Sequence, residues 1–237
     1  HLSLRRQRQM CIRDRFFMLP KKPVIITNMD GLEWKRSKYS KPVQQFLKFA
    51  ERLAAVSSDF LVADSLGIQS FLKKKYNKDS RYIPYGAHPF DTPDDSILKE
   101  YGVEKGKYHM IIARFEPENN IEMVLDGLVL SGLKTTILVV GNHTTKHGEH
   151  LKAKFKDYDH IRFTGGIFNI GFLNNLRYYS DLYFHGHSVG GTNPSLLEAM
   201  ASRAFILAHN NDFNRGILKD NSFYFSNPDE VATLLKT

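Results

Sequence analysis

The sequence predicts an α/β protein of two Rossmann-like halves with parallel sheets, and three observations predict it. Short apolar, β-branched runs of strand length alternate with stretches of helical apolar period along the chain. The runs are apolar at consecutive positions, as in strands buried on both faces of a parallel sheet. A passage rich in Pro, Asp and Gly, "AHPFDTPDDSILKEYGVEKG", interrupts the alternation once, which makes 89–106 a linker between a first half at 16–88 and a second at 107–237.

In the first half, "PVIIT" at 23–27 reads as a strand that ends in the polar turn "NMDG". Val43, Phe46, Leu47, Ala50, Leu53 and Ala54 recur at helical spacing and place a helix within 42–56. "DFLVADS" is a strand with a polar exit, "IQSFLKKKY" a helix, and "RYIPYG" a third short strand closed by a turn signal. After the linker the order repeats. "YHMIIARF", "TTILVVGN", "HIRFTGG", "DLYFHGH" and "RAFILAHNN" read as strands, and "NIEMVLDGLVLS", "HGEHLKAKFKDY", "IGFLNNLRYYS" and "PSLLEAMAS" as helices. Such halves place a ligand in the crevice at the carboxyl ends of the strands.

With 42% hydrophobic and 24% charged residues, the 237-residue chain has the composition of a globular protein. It lacks the apolar run of about 20 residues that a membrane span needs. Five arginines against Asp14 within residues 1–15 supply half of the formal charge of +8. This segment has no apolar period and is not built as a signal peptide, so it reads as a non-native leader. The only cysteine, Cys11, lies in it, so no internal disulfide can form and the default compartment is the cytoplasm. From Lys107 onward 13 Lys and Arg face 13 Asp and Glu, which argues against a nucleic-acid partner. The stretch "WKRSKYSKPVQQFLKF" is basic with interleaved aromatics and reads two ways: a surface for peripheral association with an anionic membrane, or a solvated face.

The chemistry concentrates in "FHGHSVGGTNPSLLEAMA" at 184–201. His185 and His187 are two apart and would share a face of a strand, as half of a metal site. His143 and His209, at comparable strand ends, are the available further ligands. An anion explains the glycines better. Gly190 and Gly191 allow close backbone approach, Thr192 and Asn193 can cap a helix, Pro194 can begin it, and the exposed N–H groups at its start suit a phosphate. Glu198, one turn in, is either a glutamate favoured by the helix dipole or an acceptor for the two hydroxyls of a ribose.

"SVGGTNPSLLEAMAS" resembles the signature helix of family-4 glycosyltransferases of the GT-B fold, in which two glutamates stand eight positions apart around a Gly-rich loop. Glu198 matches the second glutamate, which in that family holds the nucleotide ribose; the first, a donor-sugar contact, falls on Gly190. "ARFEPENN" at 113–120 resembles the family's Gly-Arg-Leu-x-Pro-Glu-Lys-Gly segment. Arg114 matches the arginine that clamps the diphosphate, and Asn119 stands where a phosphate-binding lysine is expected. The first half, from "DGLEWKRSKYSKPVQQFLKFAERLAAVSSDFLVADS" to "YIPYG", is similar to a rhamnosyltransferase-like subgroup.

The resemblance implies a GT-B-like enzyme whose first half is the C-terminal part of an acceptor-side domain and whose second is a donor domain lacking its C-terminal end. The resemblance leaves open both an active and an inactive piece. It further implies transfer of a hexose such as rhamnose, with retention, from a nucleotide-diphosphate sugar to a glycan or lipid-linked hydroxyl in polysaccharide biosynthesis, without metal or other cofactor. The expected donor-side residues are Arg114, Asn119, Asn120, Gly141, Asn142, His185, His187, Ser188, Gly190, Gly191, Thr192, Asn193 and Glu198. Asp30, Glu33 and Arg36 are expected on the acceptor side, with Asp30, Arg114 and Glu198 forming the catalytic set. The alternatives are a nucleotide-sugar epimerase of the same architecture and a metal-dependent hydrolase using the two histidines.

Overall fold

The computed structural model describes residues 24–236 apart from 30, 37 and 38. The expected leader at 1–15, Cys11 and the first residue of the expected opening strand, Pro23, lie outside the described residues. The chain divides into two compact units, one ending at Pro84 and the other beginning at Tyr85.

In the first unit β1 (Ile26–Met29), β2 (Phe60–Ala63) and β3 (Arg81–Tyr82) form a parallel sheet in that order. Helices α1 (Lys41–Ser57) and α2 (Leu66–Tyr76) connect them. Ser65 caps α2 by accepting from the Ile68 amide, and Asn77 stops it in the left-handed conformation, its amide donating to the Leu72 and Lys73 carbonyls. Ala54, Ala55, Leu61, Ala63, Ile68 and Leu72 are buried, whereas Val43 and Phe46, at the start of the apolar period of α1, are exposed. Buried Glu51 on α1 accepts hydrogen bonds from Trp34 Nε1 (2.8 Å), Lys75 Nζ (2.8 Å) and Tyr76 Oη (2.6 Å), which ties the turn Glu33–Lys35 to both helices.

The second unit begins with α3 (Ser96–Glu100). The segment 89–106, read as a linker from its composition, belongs to this unit. Ile97 and Leu98 are buried in its core, the Phe90 amide donates to the Ala201 carbonyl at 3.0 Å, and the Asp94 amide donates to Asn175 Oδ1 at 2.6 Å.

β4 (Tyr108–Ile112), β5 (Thr136–Val140), β6 (Ile161–Gly165), β7 (Leu182–His185), β8 (Ile206–His209) and β9 (Phe223–Phe225) make a six-stranded parallel sheet in the order β6-β5-β4-β7-β8-β9. The connecting helices are α4 (Ile121–Ser131), α5 (Lys146–Lys154), α6 (Ile170–Tyr179), α7 (Pro194–Ala201) and α8 (Asp212–Leu218), and α9 (Pro228–Leu234) follows β9. Alternate residues of each strand feed two cores. Ile111, Val139, Phe184 and Leu207 pack with α4, α5 and α9, while Tyr108, Met110, Leu138, Val140, Tyr183, Ile206 and Ala208 pack with α3, α6 and α7. Both faces are covered, which explains the continuous apolar runs in the sequence. At about 1.5–3 kcal/mol for each fully buried large apolar side chain, these two layers make the sheet the rigid part of the unit. This order runs outward in both directions from the β4/β7 pair, so the crevice of a Rossmann-like sheet falls beyond the carboxyl ends of those two strands.

Candidate functional site

The two segments singled out in the sequence leave the sheet as neighbours, 113–120 after β4 and 186–193 after β7. Their joint is made of backbone and small side chains. Asn120 Nδ2 donates to the Gly186 carbonyl at 2.8 Å. The Ser188 amide and hydroxyl both donate to the Glu118 carbonyl, at 3.0 and 2.8 Å. Within the first loop Asn119 Nδ2 donates to the Arg114 carbonyl at 2.7 Å. Gly186 is required by this contact, because a Cβ there would lie 2.2 Å from the Asn119 carbonyl oxygen. Asn120 turns the chain with a φ of 51°, a left-handed conformation that asparagine tolerates.

These contacts redefine several residues expected to face a donor. The side-chain amide nitrogens of Asn119 and Asn120 and the hydroxyl of Ser188 are engaged in holding the loops together. Arg114 is different. It is exposed, and among the described residues its guanidinium forms no ion pair, either with Glu116 or with Glu118. Gly141 ends β5, and a Cβ on it would stand 2.1 Å from the Ala113 carbonyl oxygen, so its lack of a side chain lets the β5 loop approach the Arg114 segment. Asn142 Oδ1 accepts from the Thr144 amide and hydroxyl and closes an exposed turn.

The second loop leads into α7 as its composition requires. Gly190 has a φ of 130° with open space around it, Gly191 is half-buried and Thr192 buried. Asn193 is the N-cap, its Oδ1 accepting from the Ser195 amide at 2.9 Å, and Pro194 is the first helical residue. Glu198 lies on α7 with its side chain 35% exposed, and its Oε2 is 2.6 Å from Nη2 of Arg177 on α6. Sequence reasoning missed that arginine. Its position four residues after Leu173 and next to Leu176, on the apolar side of α6, is the signal that could have found it.

The His185 and His187 rings stack at 4.5 Å between centroids. His185 is wholly buried, among the described residues neither ring nitrogen has a hydrogen-bond partner, and burial, then His187, then the Arg177 charge hold its pKa well below the usual histidine range. It is therefore neutral at pH 7. The carbonyl of His187 accepts from Asn211 Nδ2 and Asn214 Nδ2, which fixes the loop to α8. His143 lies against Phe115 and Phe163, and His209 against Phe225. Among the described residues no three His, Cys, Asp or Glu side chains come together as a metal site would require.

Of the expected acceptor-side set, Asp30 lies outside the described residues. Glu33 and Arg36 form an ion pair at 2.8 Å within the first unit. No helix among the described residues is long and apolar enough to cross a membrane.

The fold and this joint define a Rossmann-like α/β unit whose switch point carries a free arginine, a glycine-containing helix-capping loop and a half-open carboxylate. The chain belongs to the family Glycosyl transferases group 1, which matches residues 94–236. Residues 22–88 match a domain of unknown function (DUF1972). No curated protein matches the sequence.

Among solved structures the chain is similar to Alr3699/HepE of Anabaena in complex with UDP and glucose, with 15% identity, a TM-score of 0.81, and coverage of 97% of this chain and 65% of that one. It is also similar to the sucrose-phosphate synthase of Thermosynechococcus elongatus, with 14% identity, a TM-score of 0.76, and coverage of 96% and 61%. A third similar structure is the pneumococcal O-GlcNAc transferase GtfA in complex with UDP and GlcNAc, with 13% identity, a TM-score of 0.67, and coverage of 93% and 46%. The chain thus spans less than two thirds of the length of each. These likenesses establish the α/β fold with parallel sheets expected from the sequence. The family match does not favour the epimerase and hydrolase alternatives.

Proposed function

We propose that the protein is a retaining family-4 glycosyltransferase of the rhamnosyltransferase-like subgroup, with its nucleotide-sugar site at the β4/β7 switch point. The sugar passes to a glycan or lipid-linked hydroxyl in polysaccharide biosynthesis, in the cytoplasm at the inner membrane face. One observation carries the reading: the loop bearing Arg114 is locked by hydrogen bonds to the loop that enters α7, and the exposed guanidinium forms no ion pair with any described residue. A free, permanently charged fork beside a capped helix start is an arrangement for a diphosphate. The likeness to structures holding UDP makes uridine diphosphate the first nucleotide to test.

In the proposed step the bond from the anomeric carbon to the diphosphate oxygen breaks and the acceptor oxygen bonds to that carbon from the same face. The acceptor proton passes to the leaving phosphate. Arg114 and the backbone N–H groups of Gly190 to Asn193 stabilise the diphosphate charge, and Glu198 accepts from the ribose hydroxyls. The reading assigns no metal to the step. Asp30, Glu33 and Arg36 serve the acceptor side.

The test is a thermal-shift panel of UDP-, dTDP- and GDP-sugars on the full chain, with Arg114→Ala and Glu198→Ala as variants. One nucleotide class is expected to raise Tm, and each variant to reduce the rise, with the unliganded Tm of Arg114→Ala within about 2 °C of wild type because this exposed side chain forms no ion pair with any described residue. No shift with any nucleotide, or a shift undiminished by both substitutions, would overturn the proposal.

A further inference from the structure

The Arg177 side chain is 1% exposed, and its guanidinium sits between α6, β7 and α7. Nη1 donates to Asn174 Oδ1 at 2.9 Å, and Nη2 donates to Glu198 Oε2 at 2.6 Å and to Ser195 Oγ at 3.4 Å. Ser195 Oγ is in turn 2.8 Å from the Tyr183 hydroxyl, and the Arg177 Cζ lies 6.0 Å from the Tyr183 ring centroid. Burial pushes the Tyr183 phenol up, so it stays a neutral hydroxyl. The two oxygens of Glu198 therefore differ. Oε2 is held by a buried charge, whereas Oε1 forms no hydrogen bond with any described residue, and the side chain as a whole is 35% accessible.

We infer that Arg177 is a positioning residue that fixes the Glu198 carboxylate so that Oε1 meets the hydroxyls of the nucleotide ribose. This rests on the reading of Glu198 given above. The physical grounds are independent of it. A glutamate on an open helix face samples several rotamers, and selecting one of them on ligand binding subtracts from affinity. A guanidinium held by Asn174 on its own helix and reaching Glu198 across to α7 selects that rotamer beforehand, and its rigid planar fork meets the two partners with separate nitrogens at a fixed spacing. Arg177 itself is too buried to touch a ligand. Its effect must therefore pass through Glu198 and be confined to whatever Glu198 reads.

The experiment measures Kd by isothermal titration on the full chain. The tightest of UDP, GDP, ADP and dTDP, the last carrying only its 3′ hydroxyl, is paired with its 2′,3′-dideoxy analogue, for wild type, Arg177→Met, Arg177→Lys and Glu198→Ala. Charge-assisted hydrogen bonds predict that wild type prefers the hydroxylated nucleotide about 10-fold or more. Arg177→Met should reduce that preference to within about 3-fold and leave the Kd of the analogue within about 3-fold of wild type. A merely structural role would weaken both nucleotides alike. Should the methionine variant fail to fold, Arg177→Lys decides, because it keeps the charge but replaces the two-nitrogen fork between Asn174 and Glu198 with one nitrogen on a shorter side chain; its preference should fall several-fold. A preference lost in Glu198→Ala but kept in both arginine variants overturns this inference alone. A preference kept in Glu198→Ala, or no nucleotide bound by wild type, overturns the reading of the site and the inference together.

Discussion

Gly186→Ala tests whether the two loops are held by close approach rather than by chance adjacency. An alanine Cβ would lie 2.2 Å from the Asn119 carbonyl oxygen, 3.2 Å from its carbonyl carbon and 3.4 Å from the Asn120 Cβ. Ordinary van der Waals contact begins at 3.4 Å, so backbone must retreat by more than 1 Å, and no flexible side chain can give way in its place. Overpacking of this kind costs about 1–3 kcal/mol. The retreat also stretches the Asn120–Gly186 and Ser188–Glu118 hydrogen bonds, each contributing about 0.5–1.5 kcal/mol. Together these give about 2–6 kcal/mol, which for a unit of this size lowers Tm by roughly 4–24 °C. Thermal unfolding followed by circular dichroism measures it, with Gly216→Ala as the control. Gly216 lies in α8 with nothing near its missing Cβ, so the control should be neutral or stabilised by up to about 1 kcal/mol. A Gly186→Ala variant melting within 2 °C of wild type would refute the claim that this glycine sets the spacing of the loops.

Stability should rise with pH through the range just below 6.5. His109, His185 and His209 are held below the usual histidine pKa chiefly by burial, so between their folded values and 6.5 the unfolded chain binds more protons; this stability is complete above about pH 6.5 and is lost as pH falls. Each fully buried histidine adds up to about 1.4 kcal/mol per pH unit, and Tm measured from pH 5 to 7.5 should flatten by one such share in His185→Phe. Glu51→Ala removes the acceptor of three donors in the first unit and should cost about 1–3 kcal/mol, the buried-pair range reduced because Lys75 is partly solvated. Trp34, the chain's only tryptophan, should then report its release as a red-shifted fluorescence.

Strands and long helices were legible because burial on both faces leaves an unbroken apolar signature, as in "TILVV", and because α4 carries its apolar period over three turns. The misses are short elements. α3 has five residues, α8 and α9 seven each, and β9 three, too few for any period to register. Their caps were nonetheless written: Asn211 and Asn227 each accept from amides of the helix they begin, and Pro228 follows Asn227. The supposed linker misled because its Pro and Asp content outweighed the single pair Ile97–Leu98 that anchors it.

The same limit applied to the site. Motifs located Arg114 and Glu198, since spacing and residue type are properties of the chain. What each polar group bonds to is a property of the fold. Asn119, Asn120 and Ser188 are chemically suited to phosphate, and only the joint reveals that their donors are already engaged with the Arg114, Gly186 and Glu118 carbonyls. Arg177 was passed over for the converse reason, as a charge inside an apolar helix pattern whose partner lies 21 residues away.

The two departures from the pattern the sequence resembles have opposite charges. Asn119 replaces an expected lysine, and Gly190 an expected glutamate. The joint explains the first, because Asn119 is only 4% exposed and donates to a backbone carbonyl inside the loop. An ammonium there would have to be desolvated or leave the joint. With both charges absent, Arg114 is the only lysine or arginine in the two loops, and Glu116 and Glu118 follow it. On the proposed reading the diphosphate is then met by one guanidinium and by backbone N–H groups at the start of α7. Those N–H groups can be presented correctly only while the loops keep their register. On that reading the loop spacing set by Gly186, a buried residue, takes over part of what a second cation would otherwise supply.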